Sequence, residues 1–211
     1  MDKKEQLVKY WKERGIITDT RVLGAFLKVN REEFMPEDLR KEAYADIALP
    51  IGFGATISQP TTVMIMTQAL DVRSGMKVLE IGSGSGYQSA ILSYLVNGGI
   101  VYSVEIIAEL VSYAQKNIQH EKIHNVKIIQ SDGSIGLPNN APYDRIIVTA
   151  ASPELLESLL SQLSDNGIMV IPIREGEAQT LYKITKKGQS IEKQNLGLFM
   201  FVPLQGEKGL K

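Results

Sequence analysis

The chain has 211 residues, 44% of them hydrophobic and 22% charged, and 23 Lys+Arg stand against 24 Asp+Glu for a net charge of -1. This is the composition of a globular protein with one sizeable core; it excludes disorder and collagen, and without excess cation it excludes a nucleic-acid partner held by bulk charge. The absence of Cys excludes disulfides, thiolate metal sites and every mechanism built on a cysteine nucleophile.

In chain order, the start MDKKEQLVKYWKER is charged where a signal peptide is apolar, and no later run approaches the roughly 18 apolar residues of a membrane span. A soluble cytoplasmic protein with no membrane partner is expected. Residues 1–50 carry 20 of the 47 charged residues, which marks them as exposed. Two apolar stripes there, Leu7-Val8-Trp11 ended by Gly15 and Val22-Leu23-Phe26-Leu27, predict a helical cap. Residues 47–62, IALPIGFGATISQPTT, are apolar but hold two Gly and two Pro, so an irregular loop is expected. Ser58 would be the N-cap, and Pro60 would lie near the first turn, of a helix over TTVMIMTQAL.

From Lys77 onward, apolar runs at 77–81, 101–106, 126–130, 143–150 and 167–173 predict strands. Helices are expected near 87–96, 108–119 and 153–163, the last beginning at Pro153. The alternation predicts an α/β fold with a doubly wound, mostly parallel, Rossmann-like sheet and an N-terminal helical extension. TLYKITKKGQSIEKQ alternates apolar and polar residues around Lys187-Gly188, the pattern of an antiparallel C-terminal hairpin, and a final strand is expected in LFMFVPL. One domain over 1–211 is expected, with 1–58 as helical cap and active-site loop and 59–211 as α/β core.

The strongest chemical signal is Glu80-Ile81-Gly82-Ser83-Gly84-Ser85-Gly86-Tyr87, where a buried strand meets a helix. Glycines there let a ligand lie against bare backbone N–H groups. The G-x-G-x-G spacing differs from the dinucleotide fingerprint, whose third glycine falls one position later, at Tyr87. An acid two positions before Gly82 suits a cationic ligand, such as the ammonium and sulfonium of S-adenosylmethionine, better than a pyrophosphate. Glu105 ends the second strand of this series, where a carboxylate can accept both hydroxyls of an adenosine ribose. Asp132-Gly133 follows the third, where an Asp can accept from an adenine amino group or simply form a turn. Ser58 can cap a helix, orient a reacting group, or do both. His120 and His124 are spaced i, i+4 at a helix end with no third ligand near in sequence, so a surface pair and no metal site are expected. No G-x-S-x-G elbow is present for a serine hydrolase.

These residues resemble the protein-L-isoaspartate O-methyltransferases, which start the repair of isomerised aspartyl residues. The resemblance rests on Leu49-Pro50-Ile51-Gly52, Ala55-Thr56-Ile57-Ser58-Gln59-Pro60, the glycine loop, Asp132-Gly133-Ser134, Ile147-Val148-Thr149-Ala150-Ala151 and Phe201-Val202-Pro203-Leu204, and it spans nearly the whole chain. It implies Ser58 as the active-site serine. It implies S-adenosylmethionine as cofactor, leaving as S-adenosylhomocysteine, held by Glu80, Gly82, Ser83, Gly84, Gly86, Glu105, Ile106, Asp132 and Gly133. It also implies isoaspartyl proteins and peptides as substrates, gripped by Thr56, Ile57, Pro60, Thr61, Val202 and Leu204, with the enzyme acting as a monomer. Two positions depart from the family's habit: Met200 where Arg is frequent, and Thr61 where an aromatic residue or His is frequent.

The implied nucleophile is a carboxylate with an ordinary pKa near 3.9, ionised at neutral pH without a general base, which agrees with the lack of Cys and the scarcity of His. A nucleic-acid methyltransferase of the same fold is opposed by the charge balance and by Thr149-Ala150-Ala151-Ser152 where base N-methylators carry a Pro-Pro-aromatic clamp. A nicotinamide dehydrogenase is opposed by the glycine spacing. A binding module that kept the fold and lost turnover is the non-enzymatic alternative.

Overall fold

A computed structural model describes residues 2–210. Helix α1 (Lys3–Glu13) opens on a capping box: the Asp2 carboxylate accepts from the Glu5 N–H at 2.7 Å and Glu5 reaches back to the Asp2 N–H at 3.2 Å. Helix α2 (Thr20–Lys28) is capped by Asp19, and two 3-10 turns follow, Arg31–Phe34 and Glu37–Glu42. The segment expected to be an irregular loop instead holds a small antiparallel hairpin, β1 (Leu49–Gly52) and β2 (Ala55–Ile57). Phe53 and Gly54 both have positive φ, 54° and 73°, the left-handed pair that a two-residue hairpin turn requires. Helix α3 (Pro60–Leu70) follows, with Gln59 and not Ser58 at its N-cap position and no side-chain cap.

The α/β region then runs β3 (Lys77–Ile81), α4 (Tyr87–Leu95), β4 (Ile100–Glu105), α5 (Ala108–His120), β5 (Val126–Gln130), β6 (Tyr143–Val148), α6 (Glu157–Leu160), β7 (Leu163–Glu175), β8 (Ala178–Lys187) and β9 (Ser190–Leu198). The seven strands lie in the order β5-β4-β3-β6-β7-β8-β9, parallel from β5 to β7 and antiparallel from β7 to β9. The chain moves outward from β3 through β4 to β5, then returns to β6 on the other side of β3. That reversal opens a crevice at the C-terminal ends of β3 and β6.

Alternation along the strands feeds two cores. Val78, Val101, Ile147 and Val170 face the layer containing Trp11, Phe26, Leu70 and Ile91, so the N-terminal helices share a core with α3 and α4. Leu79, Ile81, Ile146, Val148 and Met169 face the opposite layer, with Leu156 and Leu159. Trp11 and Phe26 are fully buried and meet edge to face at 4.7 Å, each burial contributing roughly 1.5–3 kcal/mol.

Two expected elements are replaced. The helix over 153–163 shrinks to Glu157–Leu160 because residues before it are committed to strands: the Ser152 N–H donates to Pro172 O at 2.9 Å, and Ser152 O accepts from the Arg174 N–H at 2.8 Å. The final strand in LFMFVPL does not form beyond Leu198, where β9 ends. Residues 199–204 cross the mouth of the crevice, held to the sheet by the Ala151–Pro203 bridge and by Gln179 of β8, whose backbone carbonyl accepts from the Phe199 N–H at 3.0 Å and whose side chain bonds the Phe201 N–H and carbonyl at 2.6 and 3.1 Å. Among the described residues no helix is long and apolar enough to cross a membrane.

Candidate active site

The loop from Gly82 to Gly86 leaves the C-terminal end of β3 and enters α4. Gly82 has φ +93°, and a Cβ there would stand 2.4 Å from Thr149 Oγ1, so only glycine fits. The Thr149 hydroxyl needs that closeness: its Oγ1 lies 2.8 Å from Gly82 O and 3.0 Å from Ile81 O. The ends of β3 and β6 are thereby locked together beneath a cavity of about 790 Å³, within the range of small-molecule sites.

Glu80 is fully buried in the cavity wall. Ser89 donates to Glu80 Oε2, whereas Oε1 has no partner. Burial pushes this carboxyl up to about 8, against the lowering effect of its serine hydrogen bonds, and the negative charge of Glu105 adds to the rise. Glu105 Oε2 accepts from the Gly84 N–H at 3.0 Å, and Oε1 accepts from the Ile106 and Ile107 N–H groups at 2.9 and 3.1 Å. It therefore clasps the glycine loop to the end of β4 while lining the cavity, as Ile106 and Gly133 also do. Ser83 turns its hydroxyl to Ser103 at 2.6 Å.

Asp132 stands elsewhere. Its Oδ1 accepts from the Ser134 N–H and hydroxyl at 2.8 and 2.7 Å, and its Oδ2 accepts from the Glu207 N–H at 2.7 Å. These donors hold its carboxyl below the usual Asp range against the opposing effect of burial. The side chain expected to meet an adenine instead caps a 3-10 turn and ties down the C-terminal tail. Asp132, Gly86 and Pro60 do not line the cavity.

The opposite wall is the segment from β2 into α3, with Thr56, Ile57, Ser58, Gln59 and Thr61 on the cavity. The Ser58 hydroxyl makes no hydrogen bond among the described residues, whereas its carbonyl accepts from Arg31 at 2.9 Å. Thr61 is spent on the scaffold: its N–H and hydroxyl donate to Asp46 at 2.9 and 2.6 Å, and its oxygen accepts from Trp11 Nε1 at 2.8 Å. Asp46 thus satisfies the first turn of α3 in place of a side-chain N-cap. The crossing tail forms the roof, with Val202 and Leu204 over the cavity. It is stitched down by the Ala151 N–H to Val202 O and the Leu204 N–H to Ala151 O, both 2.8 Å.

Sequence reasoning missed Gln59, Tyr87 and Phe201, which line the cavity, and Arg31 and Asp46, which hold its wall. Gln59, Tyr87 and Phe201 sit inside quoted motifs, but nothing in the pattern marks Arg31 or Asp46. His120 is exposed and faces Glu33 at 3.7 Å and Glu121 at 4.0 Å, not His124.

A cationic, adenosine-bearing cofactor fits these residues: an unpartnered buried carboxyl oxygen on Glu80, bare backbone at the glycine loop, and a second carboxylate, Glu105, on the same cavity. The parallel sheet, its crevice and this donor set define an S-adenosylmethionine-dependent methyltransferase. A precorrin-6y C5,15-methyltransferase from Geobacter metallireducens shares the fold alone, with TM-score 0.52 over 66% of this chain and 85% of that one at 17% identity. The family profile of protein-L-isoaspartate(D-aspartate) O-methyltransferase matches residues 2–209, and the chain belongs to that family, whose reaction is methylation of isoaspartyl residues with S-adenosylmethionine. It is 49% identical to the protein-L-isoaspartate O-methyltransferase of Dictyoglomus thermophilum, over 99% of this chain and 94% of that protein. It is 47% identical to that of Methanopyrus kandleri, over 99% and 93%. A Plasmodium falciparum structure described as a protein-L-isoaspartate O-methyltransferase, in complex with S-adenosyl-L-homocysteine, superimposes with TM-score 0.86 at 30% identity, covering 97% of this chain and 99% of that one.

Proposed function

We propose that the glycine loop and the β2–α3 wall are the cofactor and substrate ends of one reaction site. There the α-carboxylate of an L-isoaspartyl residue in a damaged protein or peptide is methylated, the first step of repair through a succinimide. The observation that carries this reading is the free Ser58 hydroxyl on the same cavity as the unpartnered Glu80 oxygen. S-adenosylmethionine supplies a methyl group activated on a sulfonium. Glu80, Gly82, Ser83, Gly84, Glu105, Ile106 and Gly133 bind it, while Gly86, at the N-cap position of α4, and Asp132, through the C-terminal tail, act at one remove.

Ser58 is the catalytic residue, donating a hydrogen bond that orients the substrate carboxylate. Because that carboxylate is already ionised, no residue has to remove a proton from it. The work left to the protein is alignment and exclusion of water, which for well-oriented partners amounts to about 7–11 kcal/mol. Thr56, Ile57, Val202 and Leu204 grip the peptide, while Pro60 and Thr61 fix the wall. Residues 1–58 act as cap and active-site loop and 59–211 as core of a single domain, working as a monomer in the cytoplasm.

The test is transfer of isotope-labelled methyl to a synthetic peptide in isoaspartyl and aspartyl forms. Methylation of the first and little of the second is expected; equal rates on both would reject the assignment.

A further inference from the structure

Arg31 is 0% exposed, and no ion pair among the described residues includes it. Among the described residues its guanidinium donates only to carbonyl oxygens, Ala43 at 2.5 Å, Ile47 at 3.3 Å, Ile57 at 3.3 Å and Ser58 at 2.9 Å, and its Nε has no partner. The Asp46 carboxylate acts on it electrostatically but forms no ion pair with it, and burial of a cation so weakly compensated is costly. The cavity in front of it receives an anion, yet the ionisable carboxyls that line it are Glu80 and Glu105, and among the described residues no Lys, Arg or His side chain lines it. The 57–58 and 58–59 peptides are trans, so their N–H groups point away from the carbonyls that face Arg31. Neither the Ser58 nor the Gln59 N–H makes a hydrogen bond among the described residues.

We propose that Arg31 is a positioning residue for the substrate carboxylate: from behind the wall it fixes and polarises the 57–58 and 58–59 peptides, whose N–H groups receive the anion beside the Ser58 hydroxyl. The inference rests on the reading of this wall as the substrate end. A guanidinium suits the task because its planar fork can hold several carbonyls at once while its charge stays fixed. One hydrogen bond removed from the cavity, it lends positive potential to the site without competing for the reacting carboxylate as a direct ion pair.

The test measures binding without turnover. Protein saturated with S-adenosylhomocysteine is titrated with an isoaspartyl peptide and with the same peptide carrying a carboxamide in place of the α-carboxylate. The wild type is expected to prefer the acid. Arg31→Met should reduce that preference by about tenfold or more, and Arg31→Lys by less, while S-adenosylhomocysteine affinity changes less than about twofold. A folded Arg31→Met that keeps the full preference would overturn the proposal and leave Arg31 a staple. If Arg31→Met does not fold, Gln59→Pro decides: Gln59 has φ -51°, close to the angle proline imposes, so the change removes one N–H and leaves Arg31 in place. A reduced acid preference in Gln59→Pro is expected, and an unchanged one overturns the role of the N–H groups. A wild type that binds neither peptide would instead overturn the substrate reading itself.

Discussion

At the cofactor end, Gly82, Glu105 and Gly133 follow the C-terminal ends of the adjacent parallel strands β3, β4 and β5, so sheet geometry fixes their spacing. At the substrate end, Ser58 is held by Arg31 from 27 residues earlier, Thr61 by Asp46 from 15 residues earlier, and the roof follows the last strand. The first end is set by backbone packing and has no slack. The second is set by individual hydrogen bonds and can be loosened one bond at a time. Mutations should therefore act in kind as well as in degree: cofactor-end changes on cofactor affinity and folding together, substrate-end changes on peptide binding and turnover with cofactor affinity kept.

The largest effect is expected at Gly82. Gly82→Ala places a Cβ against Thr149 Oγ1 and forces φ +93° on a residue with a side chain, costing roughly 2–4 kcal/mol of stability and abolishing measurable S-adenosylhomocysteine binding. Thr149→Ala should relieve the clash but not the backbone strain, so calorimetry on the double mutant is expected to show partial recovery. Next comes Glu105→Ala, which removes the acceptor of three backbone N–H groups and the proposed ribose acceptor; a loss of about 1–3 kcal/mol in cofactor affinity is expected by the same titration. Ser58→Ala marks the contrast. Because Gln59 occupies the cap position, stability should change by less than about 0.5 kcal/mol, cofactor affinity should hold, and single-turnover methylation should fall about tenfold or more.

The asymmetry also governs what the sequence displays. A glycine loop between a β-branched run and a helix, with acids after successive strands, writes the cofactor end into local pattern, and β3 and β5 begin and end where the alternation predicts. The substrate end depends on contacts without a local signature. Nothing near Arg31 predicts that it will cross to the carbonyls of Ile57 and Ser58, and a Ser followed by Gln-Pro reads as a cap until Asp46 is seen serving α3 from a distance. Where strand pairing competes with helix signals the local pattern also misleads. Pro153 follows Ser152, whose backbone is already paired with β7, so the helix there starts late and stays short.

Glu80 gives the cofactor end a pH signature that the substrate end lacks. Its folded carboxyl is pushed up to about 8 from an ordinary 4.5, so between those values the unfolded chain releases a proton that the folded chain keeps. Its contribution to apo stability therefore falls as pH rises through that window. A ligand ammonium beside it favours the ionised form, so S-adenosylhomocysteine affinity should rise with pH toward 8, with proton uptake by the buffer. Glu80→Gln should flatten both profiles and raise the apo melting temperature at pH 8 by a few degrees, about 1–2 kcal/mol, while weakening cofactor binding. A titration whose affinity is flat from pH 5 to 8 in the wild type would separate Glu80 from the cofactor.

The smallest expected effect tests the one place where a cofactor-end acid behaves like the substrate end. Both Asp132 oxygens are occupied, by Ser134 and by the Glu207 N–H, and Lys208 N–H donates to Ser134 Oγ at 2.9 Å. Asp132 is thus a clasp on the tail, and the tail carries Leu204 and Gln205 over the cavity. Since its folded carboxyl is held below the ordinary value of 3.8, the clasp contributes above that pH and is lost only as pH falls through the depressed value. Asp132→Asn, which keeps one acceptor oxygen, should cost about 1 kcal/mol of stability and no more than about threefold in S-adenosylhomocysteine affinity. Truncation after Gln205 should do the same, and the two changes combined should do no more than either alone, because both release one tail. If Asp132 instead meets the adenine directly, its substitution will weaken binding about tenfold whether or not the tail is present. The double-mutant cycle distinguishes a clasp from a ligand.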